Sequence, residues 1–494
     1  MKNQNKTISI NADLSYTEEQ NQEITINHLT DINLNGHTLT GYTFNFNYVQ
    51  DYKGIIDLIR INNGSLISKG RPVIVTTTAT NLHGVIVEDE KDNNEYVRHT
   101  GDNLNDYLFE VNGLGMLSLN DCTVNGINAI KLGLAYPDES FERNNSLLGF
   151  QKTNITVSDY VIYDDSNPCI SRKSGYEMFV GDTEKNEVDC IFKSTNGTAF
   201  YLKYLNGTIH NSTIEAKESC VYTCAGGSVS LSIAENTTLI SDGPTVNAFA
   251  DTTFNTYLTC KFVSNNDSVF KIQGQGTNSY IQIHDGTFIA SKSEEKHVIE
   301  NKNSRFDSLI QAGRFTHDMN NFKVSRGFEC ITVDTSNVPY AIARKFNEKK
   351  IGEYTVKPYI YANDDFDIDG NSLGDAIGNV DKNISLIFNA KSLDSSEKFG
   401  SDNSVTSYYD LFIDEKVNDN TFTPLTETSS LQTVTILLTP QQQEELNGKK
   451  ALVEYIHNNT IKELLVVPEN IGLTSNVPCA YVKDGNKLII KTQQ

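Results

Sequence analysis

Short runs of alternating apolar and polar residues recur at a nearly constant interval between about residues 190 and 320. Each run is followed by Asn, Asp, Gly or Ser, which is typical of a short β-strand that ends in a turn. The central apolar residues of one series are separated by 25, 23, 26 and 27 positions. These residues are Ile214, Leu239, Phe262, Phe288 and Phe315.

A second series of strand signals lies between the members of the first. Its central residues are Phe200, Val221, Val246, Phe270 and Ile299. Two strand signals in each interval indicate that the chain completes one circuit about every 25 residues, which is enough for two or three short strands and their corners. Helical periodicity is almost absent, which argues against helix-containing solenoids. The pattern therefore predicts a right-handed parallel β-helix, a solenoid with one coil per interval.

A β-sandwich is the alternative architecture for this segment. Its hairpins would favour two-residue turns between adjacent strands, and the links here are mostly longer and variable. Only 38% of the residues are apolar, which suits the narrow core of a solenoid. We therefore favour the β-helix over the sandwich.

Similar strand pairs occur upstream, at residues 55–68 and 107–126, so we expect the β-helix to extend over 21–345. Two intervals, 68–106 and 133–188, are longer and more charged than one coil requires, and we expect them to be loops inserted into the β-helix. The first twenty residues are expected to form a cap or attachment segment, because the end of an open solenoid exposes unpaired strand groups.

The final third of the chain has longer alternating runs. Hairpin signals lie at 457–460 and 483–486, and the segment 439–448 has the capping residues of a short helix. These features predict an immunoglobulin-like β-sandwich over 346–494, with a linker over 362–380.

Charge and hydropathy exclude several classes of partner. The formal net charge is −22, so the chain repels phosphates and anionic membranes, and we expect no nucleic-acid partner. The sequence has no run of about 18 apolar residues, so we expect no insertion into a membrane. The N-terminal sequence also lacks the apolar core of a signal peptide, so we expect synthesis in a cytoplasm.

The cysteines have no repeated short spacing, which is typical of scattered buried thiols rather than of a disulfide or zinc framework. Cys220 and Cys224 form the one close pair. On a strand, positions i and i+4 share a face, so both thiols are expected to point into the core. The eight cysteines are Cys122, Cys169, Cys190, Cys220, Cys224, Cys260, Cys330 and Cys479.

The sequence offers few candidates for catalysis. Acid–base cleavage of a glycan would need two carboxylates at a fixed separation, and Asp164 with Asp165 is the nearest match. Adjacent strand residues face opposite ways, so a solvated structural role is favoured. His37, in "INLNGHTLTG", has no acidic or nucleophilic partner nearby in sequence and is expected to be a corner residue. In the same stretch Asn35-Gly36 is expected to form the corner, with Ile32, Leu34 and Leu39 in the core.

One acidic segment resembles the beginning of a calcium-binding loop. Asp365, Asp367 and Asp369 occupy the first ligand positions, but Ala376 stands where a bidentate Glu is required. A solvated acidic linker is therefore favoured over a calcium-stiffened hinge. We assign no catalytic, cofactor-binding or metal-binding residues and expect no cofactor.

The segments "ITINHLTDINLNGHTLTG" (24–41) and "LIQAGRFTHDMNNFKVSRGFECITVD" (309–334) resemble the first and last coils of the pectate-lyase-like superfamily of right-handed parallel β-helix proteins. The resemblance covers about residues 8–340 and concerns the fold rather than the activity. The chain lacks the "GHG" and "RIK" motifs of polygalacturonase-like members. It also has no tryptophan, which pectate-lyase-like members carry in their motifs.

Three functions are compatible with this resemblance. The first is a structural protein of a bacteriophage virion, a fibre, spike or decoration that attaches to the host surface, similar to the head fibres of crAss-like phages. The others are a tailspike-type polysaccharide depolymerase and a bacterial surface adhesin whose leader is absent. The first is favoured and implies no enzyme activity. The expected partners are a second or third copy of the chain, other virion proteins such as capsid proteins, and a host cell-surface glycan.

Overall fold

The chain forms two compact all-β units, Met1–His317 and Asp318–Gln494. The computed structural model describes residues 6–18, 21–47, 59–89, 107–113, 115–133, 146–166, 176–182, 188–257, 259–274, 277–292, 296–362, 366–368, 370–392, 405–418, 421–425, 428–429, 432–437, 451–457, 460–464, 466–468, 472–477 and 486–492.

The strands of the first unit form three rows in which all neighbours are parallel. Strands are numbered along the chain. The first row contains β1 (Lys6–Ser9), β4 (Thr30–Asn33), β7 (Ile59–Ser68), β9 (Ala79–Asp89), β11 (Met116–Asn120), β14 (Ser146–Gln151), β17 (Tyr176–Val180), β20 (Leu205–Ile209), β23 (Ser228–Ile233), β26 (Asp251–Thr256), β29 (Tyr280–Ile283) and β32 (Asp307–Ile310).

Strands β7 and β9 are long enough to continue into the second row. That row also contains β2 (Leu14–Ser15), β5 (Thr38–Thr40), β12 (Thr123–Gly126), β15 (Asn154–Val157), β18 (Cys190–Ser194), β21 (Ser212–Ala216), β24 (Thr238–Ser241), β27 (Lys261–Ser264), β30 (Thr287–Ile289) and β33 (Arg314–Phe315). The third row contains β3 (Gln22–Ile26), β6 (Tyr42–Phe46), β8 (Ile74–Thr76), β10 (Tyr107–Val111), β13 (Asn128–Leu132), β16 (Ile162–Asp164), β19 (Phe200–Leu202), β22 (Val221–Thr223), β25 (Val246–Ala248), β28 (Phe270–Ile272) and β31 (Ile299–Asn301).

The chain visits the three rows in turn, and the register follows the sequence repeat. In the second row, Ile214 pairs with Leu239, and each later member of that series pairs with the next. In the third row, Phe200 pairs with Val221, and that series continues in the same way to Ile299. The 11 strands of the third row span about 48 Å at the usual strand spacing of about 4.8 Å.

Apolar side chains from all three rows form the core, and the alternate residues of each strand face outward. Leu239, Phe262 and Phe288 are completely buried, as are Phe200 and Phe270. Aromatic rings stack along this core: the Phe288 ring lies 5.1 Å from that of Phe262, with an angle of 16° between their planes. The low apolar content of the sequence is enough to fill this core, because only alternate residues of short strands enter it.

The corner between the first and second rows requires an unusual backbone conformation. All seven non-glycine residues with positive φ lie at this corner in the described part of the chain: Asn35, Asn63, Asp121, Lys152, Asn211, Asn236 and Thr259. Asparagine and glycine tolerate the left-handed conformation better than most other residues. Four of these seven residues are asparagines, which therefore have a structural role at this corner.

The stretch "INLNGHTLTG" follows its prediction closely. Ile32, Leu34 and Leu39 are buried, and Asn35 and Gly36 have φ values of +52° and +84°. The Asn35 side-chain amide donates a hydrogen bond to the Ile10 carbonyl at 2.9 Å, which links this corner to the preceding turn of the chain.

Three segment predictions differ from the structure. The interval 68–106 contains β8 and β9, and 133–188 contains β14 to β17, because short strands with charged outward positions obscure the repeat. Residues 6–15, expected to lie in a cap, form β1 and β2 and pair in parallel with β4 and β5. Parallel pairing in the first unit ends at β33, earlier than residue 345, because the alternating run near Cys330 belongs to an antiparallel pair.

The second unit has mainly antiparallel strands. One sheet contains β34 (Phe328–Thr332), β35 (Tyr340–Lys345), β36 (Lys349–Ile351), β37 (Tyr354–Ala362), β39 (Ile384–Ser392), β40 (Val405–Asn418), β41 (Thr421–Pro424), β43 (Ala451–His457), β44 (Thr460–Leu464) and β47 (Asn486–Thr492). The other contains β38 (Phe366–Ile368), β42 (Gln432–Leu437), β45 (Val466–Pro468) and β46 (Gly472–Val477), and one short helix, α1 (Gly370–Gly374), follows β38.

The pairing within the second unit confirms one hairpin and contains one parallel contact. His457 pairs with Thr460, as the sequence between them predicts. Strands β37 and β39 are parallel, whereas antiparallel neighbours were expected. The helix predicted at 439–448 lies outside the described residues, as does most of the hairpin signal at 483–486.

Candidate functional site

A polar cleft of about 300 Å³ opens on the outer side of the second row. It spans four successive turns of the chain, those of β9, β12, β15 and β18, and continues around the corner toward the third row. Its lining residues are Glu88, Asp89, Asn125, Gly126, Thr156, Val157, Ser158 and Thr195.

Strand pairing places the polar side chains of the cleft in a column. Asn125 pairs with Glu88 on one side and with Thr156 on the other. These three residues face outward because their strand neighbours Val87, Val124 and Ile155 are buried in the core. The cleft therefore lies on paired strands rather than on a loop.

Hydrogen bonds orient the groups at both sides of the cleft. The Asn125 side-chain amide donates to Glu88 Oε1 at 3.2 Å. On the corner, the Asn196 side-chain amide donates to the Ser158 hydroxyl at 3.0 Å. Carboxylates accept hydrogen bonds, amides both donate and accept, and hydroxyls do either. The cleft can therefore hold a neutral molecule that carries several hydroxyl or amide groups.

A ladder of tyrosines lies on the outer side of the third row, in the turns that follow the cleft strands. The rings of Tyr163 and Tyr201 stack with centroids 4.9 Å apart, and those of Tyr201 and Tyr222 with centroids 5.0 Å apart. Tyr160 lies across this stack, with its ring 5.3 Å from that of Tyr163. Because the rings cover one another's faces, the surface available to a ligand consists mainly of ring edges and hydroxyl groups.

Burial is the main electrostatic influence on these tyrosines. It raises the pKa of Tyr163, and the nearby Asp165 carboxylate raises it further. Burial likewise raises the pKa of Tyr222, with a smaller contribution from Cys224. The Tyr201 hydroxyl contacts the Cys224 sulfur at 3.2 Å. The ladder is therefore uncharged at neutral pH and presents neutral phenol groups.

The sequence candidates Asp164 and Asp165 face different environments. Asp164 is completely buried, and its Oδ2 accepts hydrogen bonds from the backbone N–H groups of Lys203 and Tyr204 at 2.9 and 2.6 Å. Its Oδ1 accepts hydrogen bonds from the backbone and hydroxyl of Ser166. Asp165 is 57% exposed and lies 3.8 Å from the Lys203 ammonium. Asp164 therefore stabilises a corner of the first unit.

His37 has an acidic neighbour that its local sequence does not reveal. Its Nδ1 lies 3.1 Å from Asp13 Oδ1, and the Thr38 backbone N–H donates to the same oxygen at 2.9 Å. The Thr38 hydrogen bond and the His37 contact lower the pKa of the Asp13 carboxyl. Asp13 and His37 are 24 positions apart in the sequence, which corresponds to about one turn of the chain. The pair joins successive turns, which fits the predicted corner role.

The cysteine prediction is correct for Cys220 and wrong for Cys224. Cys220 is buried, whereas Cys224 is half-buried because it follows β22 rather than continuing it. The six cysteines in the described ranges are free thiols, and five of them are buried. Asp365 and Asp369 lie outside the described residues, so the calcium-loop hypothesis stays untested. Among the residues that the structure describes, no group of three or more His, Cys, Asp or Glu side chains could hold a metal ion.

Comparison with known proteins returned no match among protein-family models, curated proteins or solved structures. Within the described part of the chain, no helix has the length and apolar character needed to cross a membrane.

Proposed function

We propose that this chain is a structural protein of a bacteriophage virion: a fibre, spike or decoration exposed on the particle that attaches it to the host surface. The first unit is a right-handed parallel β-helix in this proposal, and the second is an immunoglobulin-like sandwich. One observation carries it: the two sequence series between residues 200 and 315 are the paired registers of successive parallel strands.

Physical properties of this arrangement support an exposed structural role. Among the described strands of the first unit, main-chain pairing is continuous along three rows, and such rows make a stiff unit with open strand edges at their ends. The net charge of −22 favours solubility and opposes binding to nucleic acid inside a particle. The Asp164 carboxylate is occupied by four hydrogen bonds, which supports a structural rather than a catalytic role for this residue.

Immunogold labelling tests the proposal. An antiserum raised against the purified chain is applied to particles collected from lysates of cells that produce the protein. We expect gold on intact particles, and we expect the protein to sediment with them through a density gradient. Protein that stays entirely in the unsedimented fraction would refute a place on the virion.

A tailspike-type depolymerase is the second candidate, and the polar cleft favours it. Glu88 lines this cleft and faces outward, and carboxylates are the usual catalytic groups of glycoside hydrolysis. Incubation of the purified chain with host capsular polysaccharide distinguishes the two functions. The release of reducing ends by the wild type, lost in Glu88→Gln and Asp89→Asn, would replace the structural proposal with the enzymatic one.

A further inference from the structure

We propose that the polar cleft between Glu88 and Thr195 is a binding site for one neutral sugar ring of a glycan. This inference rests on the proposed attachment function and names the ligand class and the residues that recognise it. The cleft volume of about 300 Å³ lies at the lower end of the range for small-molecule sites, which suits a single ring better than a long oligosaccharide.

The lining of the cleft matches the chemistry of a sugar. A pyranose presents adjacent hydroxyl groups that both donate and accept hydrogen bonds. Glu88 and Asp89 supply acceptors, Asn125 supplies a donor and an acceptor, and the hydroxyls of Thr156 and Thr195 supply either. Hydrogen bonds to ionised groups are the stronger ones, so the carboxylates are expected to contribute most to recognition.

Charge restricts the class of sugar further. Glu88 and Asp89 line the cleft, the neighbouring Lys193 is ion-paired with Glu215, and the net charge of the chain is −22, which together disfavour a ligand that carries a carboxylate, sulfate or phosphate. Uronic acids and sialic acids are therefore poor ligands, and a neutral hexose or N-acetylhexosamine is favoured.

The site is held in place before the ligand arrives. Glu88, Asn125 and Thr156 lie on paired strands, and the amide of Asn125 is already oriented by Glu88. Rigid placement of this kind lowers the entropy cost of binding. Gly126 follows Asn125 on the inward side, where an added Cβ would lie 2.9 Å from the buried Leu108 side chain, so the strand can hold this position only with glycine.

Two rungs of the tyrosine ladder, Tyr163 and Tyr201, lie on the strands that directly follow the cleft strands β15 and β18. Ser158 in the cleft is separated by one residue from Tyr160, whose ring packs against Tyr163 and Tyr201. The hydroxyl groups and ring edges that this ladder presents are suited to the polar edges of sugars. Further rings of a bound glycan would be able to follow the surface around this corner.

Saturation-transfer NMR of the full-length chain tests the site with the methyl glycosides of glucose, galactose and mannose and with N-acetylglucosamine. We expect at least one neutral sugar to bind saturably with a Kd of about 1 mM, and glucuronic acid to bind at least about tenfold more weakly. Thr156→Trp fills the cleft from an exposed position and should lower the affinity for the neutral sugar by at least about tenfold. Thr213→Trp, on the outer side of the same row but outside the cleft, is the matched control and should bind as the wild type does.

Three outcomes would overturn the inference: no saturable binding of any neutral sugar, binding of glucuronic acid as strong as that of the neutral sugars, or unchanged binding in Thr156→Trp. Immunogold labelling of particles tests the attachment proposal independently of sugar binding in the cleft. If the protein labels intact particles while the sugars do not bind in the cleft, only the inference about the cleft is refuted.

Discussion

The side-chain amide of Asn236 donates a hydrogen bond to Oδ1 of Asn211 at 3.1 Å, although the two lie 25 positions apart in the sequence. Both have a left-handed backbone, with φ of +51° and +44°. The next residue of this ladder, Thr259, donates to Asn236 Oδ1 at 3.2 Å and accepts from the Asn236 backbone N–H at 2.9 Å. Asparagine is favoured here because it tolerates the corner conformation and also connects one turn of the chain to the next.

Replacement of Asn236 separates these two roles. Asn236→Ala loses the ladder hydrogen bonds and places an unfavourable residue at positive φ, so we expect a loss of about 2–4 kcal/mol in the free energy of unfolding. Asn236→Gly loses the hydrogen bonds but tolerates the backbone, and should cost about 1–2 kcal/mol. Urea unfolding measures both. Equal losses for the two variants would show that the left-handed backbone has no energetic importance at this corner.

The stacked phenylalanines predict a large cavity effect. Phe288 is completely buried, and its ring lies 5.2 Å from that of Phe315, with 9° between their planes. Phe288→Ala should lower the free energy of unfolding by about 3–5 kcal/mol. The neighbouring substitution Thr287→Ala removes a partly exposed side chain and should change it by no more than about 0.5 kcal/mol. Similar losses for both variants would contradict the assignment of Phe288 to the core.

The repeat made part of the fold predictable from sequence. Core residues that pair between successive turns must be separated in the sequence by the number of residues in one turn. The spacing of the series from Ile214 to Phe315 therefore gives the strand register directly. Upstream strands such as β8 and β14 were missed because intervening residues lengthen the interval and hide the repeat. The alternating run near Cys330 resembles a further coil, and only its antiparallel pairing distinguishes it.

The candidate site was much less predictable. Glu88, Asn125 and Thr156 each occupy an ordinary outward position on a separate strand, and they share a cleft only through the lateral pairing of those strands. The contact of His37 with Asp13 was missed for the same reason, because it joins successive turns. The sequence signal for such a cleft is a polar residue at the same outward position in each of several consecutive coils. This signal can be used only when the strand register is known.

Asp267 predicts a specific dependence of stability on pH. Burial by itself would raise the pKa of this carboxyl, but hydrogen bonds from Lys296, the Ser268 backbone and Lys271 outweigh it and lower the pKa. The ammonium groups of Lys296 and Lys271 lie 2.8 and 3.0 Å from its oxygens. Because the folded pKa lies below the unfolded value of about 3.9, this contribution is complete above about pH 5 and is lost as the pH falls through the folded pKa.

The variant Asp267→Asn tests that dependence. At pH 7 it should lower the free energy of unfolding by about 1–3 kcal/mol relative to wild type, and the difference should shrink as the pH falls below about 4. Chemical denaturation at several pH values measures it. A difference between wild type and variant that is the same at pH 7 and pH 3 would contradict the assigned hydrogen bonds.

Cysteine labelling tests the corner that follows β22. Cys224 is half-buried, whereas Cys220 is buried, and burial raises the pKa of the Cys220 thiol. Thiolates are the reactive species, so iodoacetamide should modify Cys224 at least roughly tenfold faster than Cys220 in the folded protein. Peptide mapping by mass spectrometry separates the two sites. In denaturant the two thiols should react at equal rates. If their rates were also equal in native buffer, Cys224 would be as buried as Cys220, contrary to the structure.

Engineered disulfides test the parallel register of successive turns most directly. Thr213 pairs with Thr238, and Thr238 pairs with Lys261, all on the outer side of the second row. Adjacent strands are about 4.8 Å apart, within the range for a disulfide, whereas residues two strands apart are separated by about 9.6 Å. We predict that Thr213→Cys with Thr238→Cys forms a disulfide under mild oxidation, identified by peptide mapping, and that Thr213→Cys with Lys261→Cys does not. Formation of the second bridge without the first would contradict the register on which the whole account depends.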